Sequence, residues 1–358
     1  MNKYYLKIFI FLLFLSSGVF FGIFYFFWQK KPKEISFQAN TTNSNFTFFE
    51  WKKVTEKAPW SGRDAHWAVV FKDKIWLMGG VAGGKIKVGN VPYGDLPHKS
   101  DVWASENGKD WQIVLENAPW GERRSAAASV FKNKIWLMGG WTKKFGETKN
   151  DVWVSDDGAN WKLILSSAPW PEREGHAVAV FQDKLFLVGG VNFYKRKTYN
   201  DVWYSEDGIN WIEATSSAPW SKRYDHTLTV FKNKLWLIGG IDFGEQIKND
   251  VWVSEDGINW NLVTENPPWP ARHGHVALVY KNYLFIIGGW SKNGGLNDVW
   301  YTENGQEWYE LKSLPNWQGR EDHAGVVFKD KIFILGGMVD FNDYLVWAND
   351  IWGGSFSE

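Results

Sequence analysis

Two short apolar runs joined by a two-residue polar turn recur six times along this chain, about fifty residues apart. In the first copy they are His66 to Phe71 and Lys74 to Met78, on either side of Lys72-Asp73. Runs apolar at nearly every position read as strands buried on both faces, and the short polar turn makes each pair a β-hairpin. Two further segments follow with a more alternating pattern, Asp101 to Ser105 and a strand opening at Trp111. Alternation places them nearer a sheet edge, and Gly108 in the turn Glu106-Asn107-Gly108-Lys109-Asp110 supplies the positive φ such a turn needs. These segments are strands a to d.

Each strand b ends in Gly-Gly, at Gly79-Gly80, Gly139-Gly140, Gly189-Gly190, Gly239-Gly240, Gly288-Gly289 and Gly336-Gly337. A unit of this size cannot bury its apolar face alone, so the copies must stack on one another. Four-stranded antiparallel units repeated about an axis are propeller blades. The pattern therefore predicts an all-β fold, a six-bladed β-propeller of four-stranded antiparallel blades. The sixth copy stops after Asp350-Ile351-Trp352 without a strand d, whereas Thr47 to Val54, with Trp51, reads as a strand d that has no a, b or c before it. Pairing the two closes the ring and removes its free edges.

The N-terminal region has a different pattern. Ile8 to Trp28 carries no charge and as a helix is about 31 Å long, enough to cross a hydrocarbon core of about 30 Å. The expected organisation is a transmembrane helix over 1–28, a polar linker over 29–45 and the propeller over 46–358. A cleaved signal sequence ending near Ser16-Ser17-Gly18 is the alternative. Lys3 and Lys7 on one side nearly cancel Lys30, Lys31 and Lys33 on the other. Long domains after an N-terminal span are translocated largely regardless of charge. The expectation is a single-pass membrane protein whose propeller is extracytoplasmic, periplasmic or extracellular.

Composition narrows the chemistry. Forty Lys plus Arg balance forty Asp plus Glu in 358 residues, with the Lys scattered through turns, so nucleic acid is not an expected partner. Without cysteine there are no disulfides, thiolate nucleophiles or cysteine-bound metals. The 26 Trp fall mostly at fixed repeat positions and read as packing residues. A monomer is expected.

A Trp-x-x-Arg mark opens every copy, giving Arg63, Arg123, Arg173, Arg223, Arg272 and Arg320. Equivalent residues repeated around a ring suit a scaffold, with Arg tying neighbouring blades and Trp covering the gap between them. His66, His176, His226, His275 and His323 follow three residues after Arg, and the second copy has Ala126. Ligands from separate blades would surround a channel rather than converge at the short distances zinc needs, so these histidines read as structural and neither metal nor cofactor is expected. Specific function belongs where the copies differ. Between Arg and His lie the variable pairs Asp64-Ala65, Arg124-Ser125, Glu174-Gly175, Tyr224-Asp225, His273-Gly274 and Glu321-Asp322. Strand parity puts these d–a loops on the same face as the b–c loops, which contribute Tyr93 from the long first insertion and Arg196 from the third. The ligand-binding candidates are therefore Asp64, Arg124, Glu174, Tyr224, Asp225, His273, Glu321, Asp322, Tyr93 and Arg196.

With Arg-x-x-His, the apolar strand ending in Gly-Gly and a Trp opening the last strand, the chain resembles kelch repeats, which form β-propellers. The c–d turns, such as Ser155-Asp156-Asp157-Gly158-Ala159-Asn160-Trp161, are similar to the sialidase Asp-box, one residue shorter and a structural hairpin in that family. Galactose oxidases carry kelch propellers with copper and a Cys-Tyr crosslink, which a chain without cysteine cannot form. The resemblance implies a module that binds a protein or glycan on its loop face. Six kelch repeats behind an export signal also look like the bacterial sialic acid mutarotases, which implies a sugar mutarotase or epimerase using Glu174, His273, Glu321 and Arg124 as the alternative.

Overall fold

The paired apolar runs become the two inner strands of six blades in the computed structural model, which describes residues 49–87, 94–144, 146–313 and 315–356. In blade 1, strands a to d are Trp67–Phe71, Lys74–Met78, Val102–Ser105 and Gln112–Leu115, hydrogen-bonded in that order. Strand a of every blade touches strand a of the next, and the cycle closes between Ala324–Phe328 and Trp67–Phe71. These six strands therefore line a central channel. Strand b lies in the blade interior and is buried almost throughout, which explains its unbroken apolar sequence.

Both residues of each a–b turn are left-handed, as at Lys72 (φ 48) and Asp73 (φ 56). This is the geometry that matches the right-handed twist of a tight hairpin. In the c–d turns a buried hydroxyl organises the bend. Ser155 Oγ accepts from the Gly158 amide at 2.8 Å, and Asp157 Oδ1 accepts from Ala159 and Asn160.

Ring closure follows the sequence expectation. Phe49–Thr55 forms the outer strand of blade 6, paired antiparallel from Phe49 opposite Phe356 to Thr55 opposite Ile351. A second closure was not legible in the sequence. Lys85–Lys87, from the long first insertion, pairs with Tyr344, Leu345 and Val346 of blade 6. Ile86 and Leu96 then pack on a small cluster of Met338, Leu345 and Trp347.

The main core is divided among the six gaps between blades. Trp60 packs with Ile75 and Leu77 of blade 1 and with Val326 and Leu335 of blade 6; Trp120, Trp170, Trp220, Trp269 and Trp317 fill the other five gaps in the same way. The expected membrane span, 8–28, lies outside the described residues. Among the described residues no helix is long and apolar enough to cross a membrane.

Candidate binding site at the channel mouth

The row of arginines forms the frame on which the mouth is built. Arg63 is fully buried; its Nη1 donates to Gly79 O at 3.0 Å, and Nη1 and Nη2 grip Asp101 Oδ1 and Oδ2 at 2.6 and 2.8 Å. Trp103 Nε1 donates to the same carboxylate. The set recurs in all six copies, as with Arg173 on Gly189 and Asp201. Burial alone would raise the proton affinity of Asp101, Asp250 and Asp350, but the guanidinium bonds outweigh it and hold all three carboxyls below the ordinary value.

These bonds correct the sequence expectation that the guanidinium ties neighbouring blades, because Arg63, Gly79 and Asp101 belong to one copy. Backbone groups and asparagines join the blades instead. The Gly80 amide donates to the Arg123 carbonyl and the Gly140 amide to the Arg173 carbonyl. Asn200 Nδ2 donates to the Ala218 and Trp220 carbonyls leading into the next copy.

The Gly-Gly pair has a steric reason. The imidazole of each structural histidine reaches back over the first glycine of the preceding blade, with His176 Cε1 3.0 Å from where a Cβ on Gly139 would stand. The second glycine adopts φ near 100 in most copies and abuts its own blade's histidine. Blade 2 breaks the row with Ala126, and there the Trp67 indole covers Gly79 in place of the missing ring. His66, His176, His226, His275 and His323 are all buried. Burial, with the nearby arginine second, lowers the pKa of His66, His226 and His323 to about 3, so these imidazoles are neutral.

Between arginine and histidine the variable pairs build the mouth. The first residue of each pair lies opposite the residue after Gly-Gly, with Asp64 against Val81, Arg124 against Trp141, Glu174 against Val191, Tyr224 against Ile241, His273 against Trp290 and Glu321 against Met338. The second residues form a closed belt. Ser125 donates its amide to Ala65 O, Gly175 to Ser125 O, Asp225 to Gly175 O, Gly274 to Asp225 O, Asp322 to Gly274 O and Ala65 to Asp322 O, at 2.8 to 3.1 Å. All six are left-handed, with φ between 47 and 61. A site of this geometry admits Gly, Asn or Asp most readily, and Gly175 and Gly274 leave room for the Asp225 and Asp322 carboxylates of the following blades.

The belt and the histidine row enclose a cavity of about 240 Å³, lined among others by Trp67, Ala126, His226, Asp225 and Asp322. Of the carboxyl groups at the mouth, Asp225 and Asp322 line this cavity, while buried Asp64, Glu174 and Glu321, each first in its pair, and the Arg124 guanidinium act on them electrostatically. Arg124 Nε donates to Glu174 Oε2 at 3.1 Å, and the guanidinium lies over the Trp141 ring. His273 Nδ1 is 3.5 Å from Glu321 Oε2. Burial, then neighbouring carboxylates, raises Asp225 and Glu321 well above the ordinary range, and burial raises Asp322 to about 6 against the opposing pull of Arg124. Burial also raises Glu174, despite Arg124, and lowers His273 to about 4. Among the described residues no three metal-ligating side chains are arranged to hold an ion.

Eight of the ten sequence candidates thus meet at one mouth. Arg196 does not; it sits on the blade 3 loop over the Phe243 ring, near the exposed Phe193. Tyr93 lies outside the described residues. Sequence reasoning missed Trp67, although an aromatic there, where the other copies have Ala127, Ala177, Thr227, Val276 and Ala324, coincides with the missing histidine.

The KLHDC2/KLHL20/DRC7 Kelch-repeats domain matches residues 125–337, more than half of the chain. The chain belongs to the kelch-repeat family. No curated protein matches it. Among solved structures, that of YjhT is similar with a TM-score of 0.63 at 18% identity, covering 82% of this chain and 95% of that one. At that identity the likeness is one of fold, and the chemistry of this kelch propeller has to be read from its own mouth.

Proposed function

We propose that this kelch propeller is a binding module, tethered to a membrane by residues 8–28, that takes a protein or glycan on the face of its b–c and d–a loops and seats one group of that ligand in the channel mouth. One observation carries the reading. The six framing arginines are each matched by a carboxylate of their own copy, whereas Asp225 and Asp322 line an open cavity with no guanidinium of their own copy on them, and neighbouring carboxyls raise Asp225 further. Carboxyls crowded beside a cavity with their pKa raised by burial cost stability near neutral pH and persist where a site uses them. Glycan arrays and surface pull-downs with the full chain test it: the expected result is a ligand whose binding is lost in Glu321→Gln/Asp322→Asn and retained in Lys109→Ala on the opposite face. Empty arrays and pull-downs, or ligands indifferent to the mouth, would overturn it. For the tether, the full-length chain is expected to stay with membranes through alkaline extraction, and its release would sink that part.

A second reading, a sugar mutarotase or epimerase, is favoured by the approach of His273 to Glu321. Burial and nearby carboxylates keep a proton on Glu321 while the imidazole is neutral, which sets a general acid beside a base. A neutral sugar fits better than an anionic one, because Arg124 already pairs with Glu174. Mutarotation followed by NMR decides it: no rate above buffer with hexoses or sialic acid ends this reading.

A further inference from the structure

The chemistry of the mouth specifies more than its existence, provided the mouth is the ligand site proposed above. Its cavity is lined by two carboxyl groups and a row of neutral imidazoles. The Asp225 and Asp322 carboxylates lie over Gly175 and Gly274, held there by the closed amide belt, and are partly exposed to the cavity. Two further polar side chains are more than nine-tenths buried and short of partners. Glu174 gives Oε2 to Arg124 and leaves Oε1 without a hydrogen bond, and His226, which lines the cavity, has none at either ring nitrogen. A neutral imidazole presents one acceptor and one donor, and a buried carboxyl that gives up its proton to an entering cation presents only acceptors.

A cavity of about 240 Å³ is smaller than the roughly 300 Å³ at which whole-ligand pockets begin, so it takes a head group rather than a whole saccharide or peptide. The group that complements clustered carboxyl oxygens in so small a space, and can displace the protons they hold when the mouth is empty, is one with three N–H donors and a positive charge.

We propose that the channel mouth binds a primary ammonium group, its N–H bonds directed at the Asp225 and Asp322 carboxylates, with the rest of the ligand on the loop face. The amine can come from an amino sugar or from a lysine-like chain, and the test separates them. Glucosamine, N-acetylglucosamine, lysinamide and its Nε-acetyl form are titrated calorimetrically into the full chain. The expected result is a preference of about tenfold or more for the amine over its acetylated partner in at least one pair, lost in Asp225→Asn/Asp322→Asn and kept in Arg196→Ala. Thermal unfolding of the double variant checks that it folds, and Gly274→Ala, which intrudes on the Asp322 carboxylate, gives an independent variant expected to weaken the same amine. Equal affinity for amine and acetamide, no binding of either amine, or indifference to both variants overturns the ammonium proposal. A glycan or peptide hit that maps to the mouth without an amine would leave the wider binding reading standing.

Discussion

Arg173 and Glu174 are neighbours in sequence, both buried in the same loop, yet they belong to two different economies of charge. Arg173 meets Gly189 O and both oxygens of Asp201, as its five counterparts meet theirs. Glu174 has one partner, Arg124, and burial raises its pKa. The same contrast runs around the ring, where a uniform row of guanidinium–carboxylate pairs stands one residue from an irregular row of mixed chemistry. A matched buried pair can be repeated without creating a site, because nothing in it is left to bind. The irregular row borrows its backbone geometry from the uniform row and is thereby released to vary.

The largest effect is expected from opening the ring that holds both rows. Removing Phe49–Thr55 exposes the outer edge of blade 6 and should abolish the single cooperative thermal transition of the propeller; an unchanged melting curve would refute closure. Next, Arg173→Met should cost about 3–5 kcal/mol in urea denaturation because it strands Asp201 in the interior. Arg124→Met should cost distinctly less, since Glu174 can take up a proton, and Glu174→Gln should restore part of that loss. Equal costs for the two arginines would erase the contrast.

Blade 2 offers a finer test. Ala126→His restores the consensus residue yet should destabilise by about 1–3 kcal/mol, because the Trp67 indole already covers Gly79. Combined with Trp67→Ala, the histidine should become less harmful, and strict additivity in the double-mutant cycle would show that the two sites are not coupled.

The smallest effect is set by pH. The folded-state pKa of Asp322 is raised from 3.8 to about 6, so folding favours its protonated form. That stabilisation is complete below its unfolded value and is lost as pH rises through about 6. Asp322→Asn should therefore raise the melting temperature at about pH 7.5 and lose that advantage near pH 4. The depressed histidines work in the opposite direction, since they are neutral in the fold and protonate on unfolding as pH falls below 6.5. They are common to both proteins and cancel in the difference. A gain independent of pH would remove Asp322 from the strained row.

Much of this architecture could be read directly. Gly-Gly, the polar two-residue turns and the outer strand displaced to the N-terminal side were local signals, and each implied a particular backbone event. The mouth residues stand where the six copies differ in sequence, and eight of the ten candidates lie in those pairs. Arg196 does not join them, because sharing a loop face does not bring a rim residue to the axis. The partner of the repeated arginine was misread as inter-blade, since repeat spacing cannot distinguish Asp101 of the same copy from a group on the next. The latch of Lys85–Lys87 on blade 6 carried no hairpin signal, as its partner lies across the seam of the ring.

By itself the sequence determined the blade, the number of blades and the way the ring closes, because hydrophobic period, turn chemistry and a missing strand act over a few residues at a time. Only the tertiary structure decided that six left-handed residues join into one amide belt, that Trp67 stands in for an absent histidine, and that five carboxyls share a mouth with one guanidinium. Those outcomes depend on side chains about fifty residues apart being brought within hydrogen-bonding or Coulombic range, a distance set by the closure of the ring.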